Sequence, residues 1–331
     1  MYNEKKTKGD TVAISRTKVV IVGAGAVGAS VAFNLVMGNV CDDLVLIDIN
    51  REKAWAEATD LQHSLGYSGV KMSVTDGDYE TCRDADIAVI AAATPYVKGQ
   101  TRLDMADKAA GILESVVPAI MKSGFAGILV VITNPVDVMA RHAHRLSGLP
   151  AGKVIGTGTA LDSARLKYYL AEVMHVDPQS VNAVCMGEHG DSQFIPWSQV
   201  TVGGKKFLDI VRDNSDWLSM GDVDSIAENT KMMANRIMLA KGATTFGIAA
   251  TTVQIVKAVL RDENKVIPVS ALLKGEYGER DIYIGVPAVL SSKGVKELVE
   301  YHLTDEEMDA FRKSAEIIRA HADALAGRLS L

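Results

Sequence analysis

The chain is predicted to be an α/β protein, a doubly wound parallel sheet followed by an α+β domain. Three observations carry that expectation. Short β-branched runs alternate with helical stretches from Lys18 to about Gly156, the rhythm of parallel strands joined by helices. A glycine-rich turn, Gly23-Ala24-Gly25-Ala26-Val27-Gly28, separates the first such run from the first helical stretch. Beyond about Gly156 the rhythm gives way to long helices and shorter strands that resemble a mixed sheet. A chain of 331 residues is long for one core, so two domains are expected. The boundaries are an N-terminal arm over 1–17, a first domain over 18–156 and a second over 157–331.

Taken in order, residues 18–22 read as a strand and 27–37 as a helix. Residues 44–48 form a second strand, and a helix runs from about 50 to 65. Strands follow at 70–75 and 87–92, a helix at 103–122 and a strand at 128–133. Asn134-Pro135 then turns the chain into another helix, with proline at a tolerated early helical position. In the second half a helix over 160–173 leads to a strand and to the turn Gly187-Glu188-His189-Gly190-Asp191. Helices at 224–241 and 245–260 and strands at 266–270 and 282–286 come next. The tail from Thr304 is an amphipathic helix in which Met308, Phe311, Ala315, Ile318, Ala322 and Leu325 recur at three and four. That stripe suits the core or a subunit contact.

Composition narrows the function. Hydrophobic residues make up 48% and charged residues 23%, as in an ordinary globular protein. Net charge is −6, and the basic residues concentrate only in Lys5-Lys6-Thr7-Lys8, so nucleic acid is not an expected partner. The longest apolar candidate, 112–131, is broken by Glu114, Pro118 and Lys122, and a membrane span is not expected. The first 17 residues are polar and lack the apolar core of a signal peptide. Cys41, Cys82 and Cys185 are widely spaced and odd in number; they suggest neither a disulfide framework nor a metal site, and a cytoplasmic location is expected.

The glycine turn gains meaning from its context. It follows a strand, opens a helix and is succeeded by a second strand ending in Asp48, twenty residues after Gly28. This is the pattern of a Rossmann-type dinucleotide site. Gly23 permits the tight turn, Gly25 lets the backbone approach a pyrophosphate, and Gly28 lets helix and strand pack closely. The helix N-terminus supplies N–H groups and a positive dipole end for the phosphates. Asp48 would accept hydrogen bonds from the adenine-ribose hydroxyls and repel a 2′-phosphate, which favours NAD over NADP as cofactor.

Reduction of a 2-oxo acid needs a proton donor, a group that polarises the carbonyl, a cation for the carboxylate and exclusion of water. His189 is the candidate donor and Asp162 its candidate partner, holding the imidazolium ready. Arg165, three residues from Asp162 on one helix, has a planar fork that matches a carboxylate. Arg102, in a polar loop between a strand and a helix, would swing in to polarise the carbonyl. Asn134 ends a strand, where ligands meet a doubly wound sheet. Each has a plain alternative: a solvated histidine, a surface ion pair, an exposed loop charge, a helix cap.

These residues resemble the L-lactate/L-malate dehydrogenase family, closest to the bacterial L-lactate enzymes, over nearly the whole chain from about Lys18. The resemblance rests on residues 22–28, Thr133-Asn134-Pro135-Val136-Asp137, Leu161-Asp162-Ser163-Ala164-Arg165, Gly187-Glu188-His189-Gly190-Asp191-Ser192 and Lys241-Gly242-Ala243-Thr244. It implies His189 as proton donor and acceptor, Asp162 as its partner, Arg165 as carboxylate clamp and Arg102 as mobile-loop arginine. It also implies Asn134 and Thr244 at the reacting centre, Val27 in the cofactor loop and Ile248 beside the nicotinamide. A homo-oligomer, with a tetramer favoured over a dimer, belongs to the same expectation.

Two positions depart from the family pattern. The substrate discriminator lies six residues before the loop arginine, Gln in lactate enzymes and Arg in malate enzymes. Here it is Tyr96, so malate is disfavoured, and an L-2-hydroxyisocaproate or phenyllactate type with a larger pocket stands beside the lactate reading. The positions that bind fructose 1,6-bisphosphate in many bacterial lactate enzymes through Arg and His are Lys167 and Asn182 here; activation by that ligand is not expected. A non-catalytic dinucleotide-binding protein on the same fold is a reading of a different class. The set of His189, Asp162, Arg165 and Arg102 weighs against it, because a pure binder needs no proton donor.

Overall fold

The computed structural model describes residues 16–94 and 102–329, the side chains at 102–105 and 326–329 apart. Strand β1 (Lys18–Val22) leads into helix α1 (Ala26–Met37), β2 (Asp43–Ile47) into α2 (Arg51–Ser68), and β3 (Ser73–Asp76) precedes β4 (Ile87–Ile90). Helix α3 (Arg102–Lys122), β5 (Ile128–Val131), α4 (Val136–Ser147) and β6 (Val154–Gly156) complete the first half. The second half contains α5 (Ala160–Met174), β7 (Val181–Asn182), β8 (Thr201–Val202), β9 (Lys205–Lys206) and α6 (Phe207–Asp213). It continues with α7 (Met220–Lys241), α8 (Phe246–Leu260), β10 (Lys265–Lys274), β11 (Arg280–Ser291), β12 (Gly294–Leu298) and α9 (Asp305–Leu329).

The main sheet has nine strands in the order β12-β11-β10-β6-β5-β4-β1-β2-β3. From β3 to β6 neighbouring strands are parallel. Helices cover both faces of that half, so its central strands are near-continuous apolar runs; Val19, Val20 and Ile21 of β1 and all four residues of β4 are 0% exposed. The chain goes from β1 to β2 and β3 on one side and returns to β4, β5 and β6 on the other. The reversal opens a crevice at the carboxyl ends of β1 and β4, the switch point at which doubly wound sheets take ligands.

The expected fold class is observed, with differences that have physical causes. Strands β10, β11 and β12 extend the parallel sheet rather than building a separate one: β10 pairs antiparallel with β6 at Ser270 and Gly156. Strands β10 and β11 are also longer than the expected 266–270 and 282–286, and β6, β8, β9 and β12 lie where no strand is expected. Residue 156 must be small there, since a Cβ on Gly156 would stand 2.8 Å from that of Ser270. Helix α2 continues to Ser68 and stops at Gly69, whose left-handed backbone (φ 69°) caps it, which delays β3 to Ser73. Pro135 lies just before α4 in extended geometry, after a cis Asn134–Pro135 peptide, rather than inside the first turn.

The strand expected before the His189 turn survives only as β7. At Cys185 beyond it the backbone finds side-chain partners at the start of α5 instead of a ladder: Thr159, just before the helix, donates its hydroxyl to the Cys185 carbonyl at 2.6 Å, and Ser163 Oγ accepts the Cys185 N–H at 2.8 Å. The end of the expected arm is likewise tied down, for Thr17 gives its N–H and hydroxyl to Asp42 at 2.8 and 2.9 Å. Cys41, Cys82 and Cys185 are buried free thiols, and burial pushes the first two up to about 12. No described helix is long and apolar enough to cross a membrane.

Gly28 is where α1 meets the turn that precedes it. A Cβ there would lie 1.9 Å from the Gly23 carbonyl oxygen, so Gly28→Ala should lower stability by about 1–3 kcal/mol through overpacking. A urea denaturation midpoint equal to that of the parent chain would contradict this close approach.

Candidate functional site

At the switch point, Gly23 adopts φ 105° and passes so close to β4 that a Cβ would sit 2.6 Å from the Ala92 nitrogen. Gly25, by contrast, faces open space, with nothing within 4 Å of a Cβ placed on it. Helix α1 starts one residue later with no capping side chain and no acidic residue in its first turn. Its orphan N–H groups and positive dipole end are therefore available to an anion. Asp48, just past β2, is oriented beside this turn: Oδ2 accepts the Ala24 N–H at 2.7 Å and Oδ1 accepts the Asn50 N–H at 2.9 Å. Each oxygen keeps a lone-pair direction for a hydroxyl donor. Open space at Gly25, an uncapped helix and a fixed carboxylate fit a dinucleotide, with Val27 half-buried on the first turn of α1.

Helix α5 presents Asp162 and Arg165 on one face, since residues three apart are helix neighbours. Asp162 is 3% exposed and makes two charge-assisted contacts. Its Oδ2 lies 2.6 Å from His189 Nδ1, and its Oδ1 accepts Arg165 Nη1–H at 2.8 Å. The expected trio is thus brought together, and the buried pair is not the surface ion pair of the plain alternative. With Nδ1 committed to Asp162, Nε2 is the ring nitrogen that Asp162 does not engage; the side chain is 25% exposed.

Burial alone would push His189 down, but the Asp162 carboxylate, seconded by Asp137, outweighs it and holds the imidazole above its ordinary value. Burial would raise Asp162, and the His189 and Arg165 charges reverse this and hold it below the usual carboxylate range.

The His189 turn is anchored from several directions. Met186 pairs with Phe194, and Gly187 with Gly285 of β11. Glu188 gives its N–H to Ser314 of α9 at 2.7 Å, and the buried Glu188 carboxylate accepts the Ser192 hydroxyl at 2.5 Å. His189 gives its own N–H to Asp137 Oδ2 at 2.9 Å. The sequence signal for Asp137 is a lone carboxylate in the run Val136, Val138, Met139, Ala140, all buried. Burial pushes Asp137 up to about 6, against the opposing bonds from Ser270 and the His189 N–H.

Asn134 is exposed at the carboxyl end of β5. It is joined to the His189 turn through Asp137, and to β4 through Thr133, whose hydroxyl donates to the Ala92 carbonyl at 2.9 Å. Thr244 and Ile248 are half-buried at the start of α8. Between them Gly247 backs onto Leu161, the neighbour of Asp162, with space for a Cβ only 2.7 Å from Leu161 Cδ1. Tyr96 lies outside the described residues. Arg102 begins α3, and its side chain also lies outside them. Among the described residues no group of three or more His, Cys, Asp or Glu side chains is placed to hold a metal ion.

An anion cradle at the switch point, with an imidazole and a guanidinium held on one buried carboxylate, is the arrangement of a nucleotide-dependent dehydrogenase. Models of the lactate/malate dehydrogenase NAD binding domain and of the lactate/malate dehydrogenase alpha/beta C-terminal domain match residues 17–156 and 159–326. The chain belongs to the lactate/malate dehydrogenase family and is an NAD-dependent oxidoreductase acting on a CH–OH group. It is 45% identical over 302 residues to L-lactate dehydrogenase 3 of Bacillus cereus, covering 91% of this chain and 96% of that one. The crystal structure of a minor L-lactate dehydrogenase from Enterococcus mundtii, in its ligands-bound form, is similar with a TM-score of 0.91 and 42% identity over 94% of this chain and 98% of that one. A lactate dehydrogenase from Cryptosporidium parvum, crystallised with lactic acid and nicotinamide adenine dinucleotide, gives a TM-score of 0.91 at 29% identity over 95% and 99% of the two chains.

The raised proton affinity of His189 has a sign in stability. Protonation favours the folded state, so its contribution is fully present below the ordinary 6.5 and is lost as pH rises through the higher folded value. Asp162→Asn should remove this dependence. Urea denaturation from pH 6 to 9 checks it, and a slope unchanged from the parent chain would count against the His189–Asp162 contact.

Proposed function

We propose that the chain is an L-lactate dehydrogenase, interconverting pyruvate, NADH and a proton with L-lactate and NAD+. The observation that carries the reading is the double use of one buried carboxylate, Asp162, which holds a proton-carrying imidazole on one oxygen and a guanidinium on the other. That pair matches the two ends of a 2-oxo acid, its carbonyl oxygen and its carboxylate. When bound at the cradle, the nicotinamide supplies or takes up the hydride.

The chain's own residues do the rest. Arg165 binds the substrate carboxylate through its planar fork. His189 Nε2–H donates to the carbonyl oxygen as negative charge develops there, and its neutral Nε2 takes the proton back in the reverse direction. Asp162 keeps Nδ1 protonated, so that Nε2 is the nitrogen that exchanges a proton. Arg102, Asn134 and Thr244 line the reacting centre, with Arg102 polarising the carbonyl and helping to exclude water. The turn of Gly23, Gly25, Val27 and Gly28 receives the pyrophosphate, with the open backbone at Gly25 giving the close approach, Asp48 receives the adenine ribose, and Ile248 packs on the nicotinamide. This reading divides the chain into an arm (1–17), an NAD-binding domain (18–156) and a substrate domain (157–331).

Tyr96 at the discriminator position offers no cation for a second carboxylate, which favours pyruvate over oxaloacetate. Its size also supports a second reading, a larger 2-oxo acid such as 2-oxoisocaproate or phenylpyruvate. A homo-oligomer, tetramer before dimer, is supported by large apolar residues left exposed on mutually packed helices: Phe33 and Met37 on α1, Trp55 on α2, Tyr168 on α5 and Phe246 on α8. Lys167 is half-buried, and burial, then Lys265, lowers its proton affinity, while Asn182 is uncharged. Fructose 1,6-bisphosphate is therefore a weak activator or none. Buried free thiols and the NAD requirement support a cytoplasmic location.

His189→Ala should cut kcat for pyruvate reduction by about 100- to 10,000-fold while NADH still binds; full turnover would reject the mechanism. In the parent chain the reduction rate should be flat at low pH and fall as pH rises through the raised His189 value. Asp162→Asn should move that limb to lower pH, and an unmoved limb would reject the partnership.

Substrate choice is decided by kcat/KM for pyruvate, 2-oxoisocaproate, phenylpyruvate and oxaloacetate. Pyruvate should rank first, and a lead for the branched or aromatic acids would establish the second reading. The same assay with added fructose 1,6-bisphosphate should leave the pyruvate KM nearly unchanged. Sedimentation at assay concentration should give more than one chain per particle.

A further inference from the structure

We propose that the cavity between helices α7 and α9 and the segment after the His189 turn is a second ligand site, one that takes a small organic ammonium ion with an apolar body. It is separate from the dehydrogenase site: none of His189, Asp162, Arg165, Asn134 and Thr244 lines it.

The cavity measures about 360 Å³, the size of a small-molecule site. Its floor is apolar, made by Cys185, Phe194, Ile195 and Trp197. Ala227 of α7 and Ala310 of α9 are the small residues that leave the space open. The two aromatic rings are held by further rings. Phe194 meets Phe311 edge-on with centroids 6.2 Å apart, and Trp197 stacks on Phe207 at 5.4 Å. Glu307 ties the segment to α9, for its carboxylate accepts the Ser198 N–H at 2.9 Å and the Ser198 hydroxyl at 2.7 Å. A wall braced in this way is preorganised, and a ligand spends little of its binding energy on ordering it.

Gln193 distinguishes this hollow from a packing gap. It lines the cavity and is 9% exposed, and its buried Oε1 has no hydrogen-bond partner among the described residues. A buried acceptor left unpaired is costly, and native folds keep few of them. An N–H donor on a ligand satisfies it.

The surrounding charge decides which donor. Asp224, Glu228 and Glu306 line the cavity as exposed carboxylates, against one ammonium, that of the half-buried Lys231. Asp224 and Glu228 stand four apart on α7, where like charges repel, and neither forms an ion pair among the described residues. A cation relieves that repulsion, and the rings of Trp197 and Phe194 favour one as well. An anion would meet three carboxylates, and a hydrated metal ion would gain nothing from the apolar floor. An organic ammonium uses every feature: its N–H groups reach Gln193 and the carboxylates, and its body covers the aromatic rings.

Equilibrium dialysis of the full-length protein at pH 7 tests this without turnover, with 2-phenylethylammonium as the probe. One probe should bind per chain with a Kd of about 1 mM or tighter. Saturating NADH should leave that Kd within about twofold, since the two sites share no residue. Phenylacetate, of similar shape and opposite charge, should bind at least about tenfold more weakly. Gln193→Leu keeps the size and removes the acceptor, and should weaken the probe about tenfold. Glu228→Gln should weaken it about two- to fivefold. Ala227→Phe fills the cavity and should abolish binding.

Absence of saturable binding to the parent chain would overturn the proposal. So would phenylacetate binding as well as the cation, displacement of the probe by NADH, or an unchanged Kd in Gln193→Leu. If Ala227→Phe does not fold, Gln193→Leu and the phenylacetate comparison decide.

Discussion

Asp162 is a carboxylate placed where water cannot reach it, and the arrangement of the reactive groups depends on how that charge is neutralised. Desolvation of an isolated carboxylate is expensive, and a buried ion pair is tolerated only with good geometry and satisfied hydrogen bonds. Asp162 meets both conditions by splitting its oxygens between the His189 imidazole and the Arg165 guanidinium. The same contacts that make its burial tolerable also orient two groups of opposite task, a proton carrier and an anion clamp. Moving either partner would leave charge uncompensated in the interior, so stability and site geometry are coupled through one side chain.

The sheet supplies the frame for that contact. Its parallel half carries the dinucleotide cradle at the ends of β1 and β2 and Asn134 at the end of β5. Its antiparallel half carries Ser270 on β10 and Gly285 on β11, which hold Asp137 and the His189 turn. Because β10 is hydrogen-bonded directly to β6, the two halves share one sheet. Glycines appear where backbones must nearly touch, at Gly28 against Gly23 and at Gly156 against Ser270.

Much of the site was legible because its signals are local. The glycine turn and Asp48 are separated by one strand–turn–helix–strand unit, and Asp162 and Arg165 by less than one helical turn. Both relations follow from covalent spacing and element geometry. Element type was likewise legible wherever an apolar period ran for several residues, as in α1, α5, α8 and α9. Reading failed where a long-range partner decided the outcome. The run from Val181 to Met186 has strand composition, yet Thr159, just before α5, and Ser163 within it take the hydrogen bonds of Cys185. The lengths of β10 and β11 depend on each other's register, which neither run contains. Asp137 read as one more polar residue in a helix because its two partners are far away in the chain.

The sequence by itself determined the repertoire: a dinucleotide cradle, an acid–base histidine, a carboxylate and two arginines, each in a local setting fixed by a few neighbouring residues. Only the tertiary structure decided which of these groups meet. His189 finds Asp162 across 27 residues and Asp137 across 52, and Asp137 finds Ser270 across 133. Separations of that size leave the chain free to bring almost any pair together. The choice is made by burial of the apolar strands and helices between them, which fixes the register of the sheet and, with it, the side chains that share its crevice.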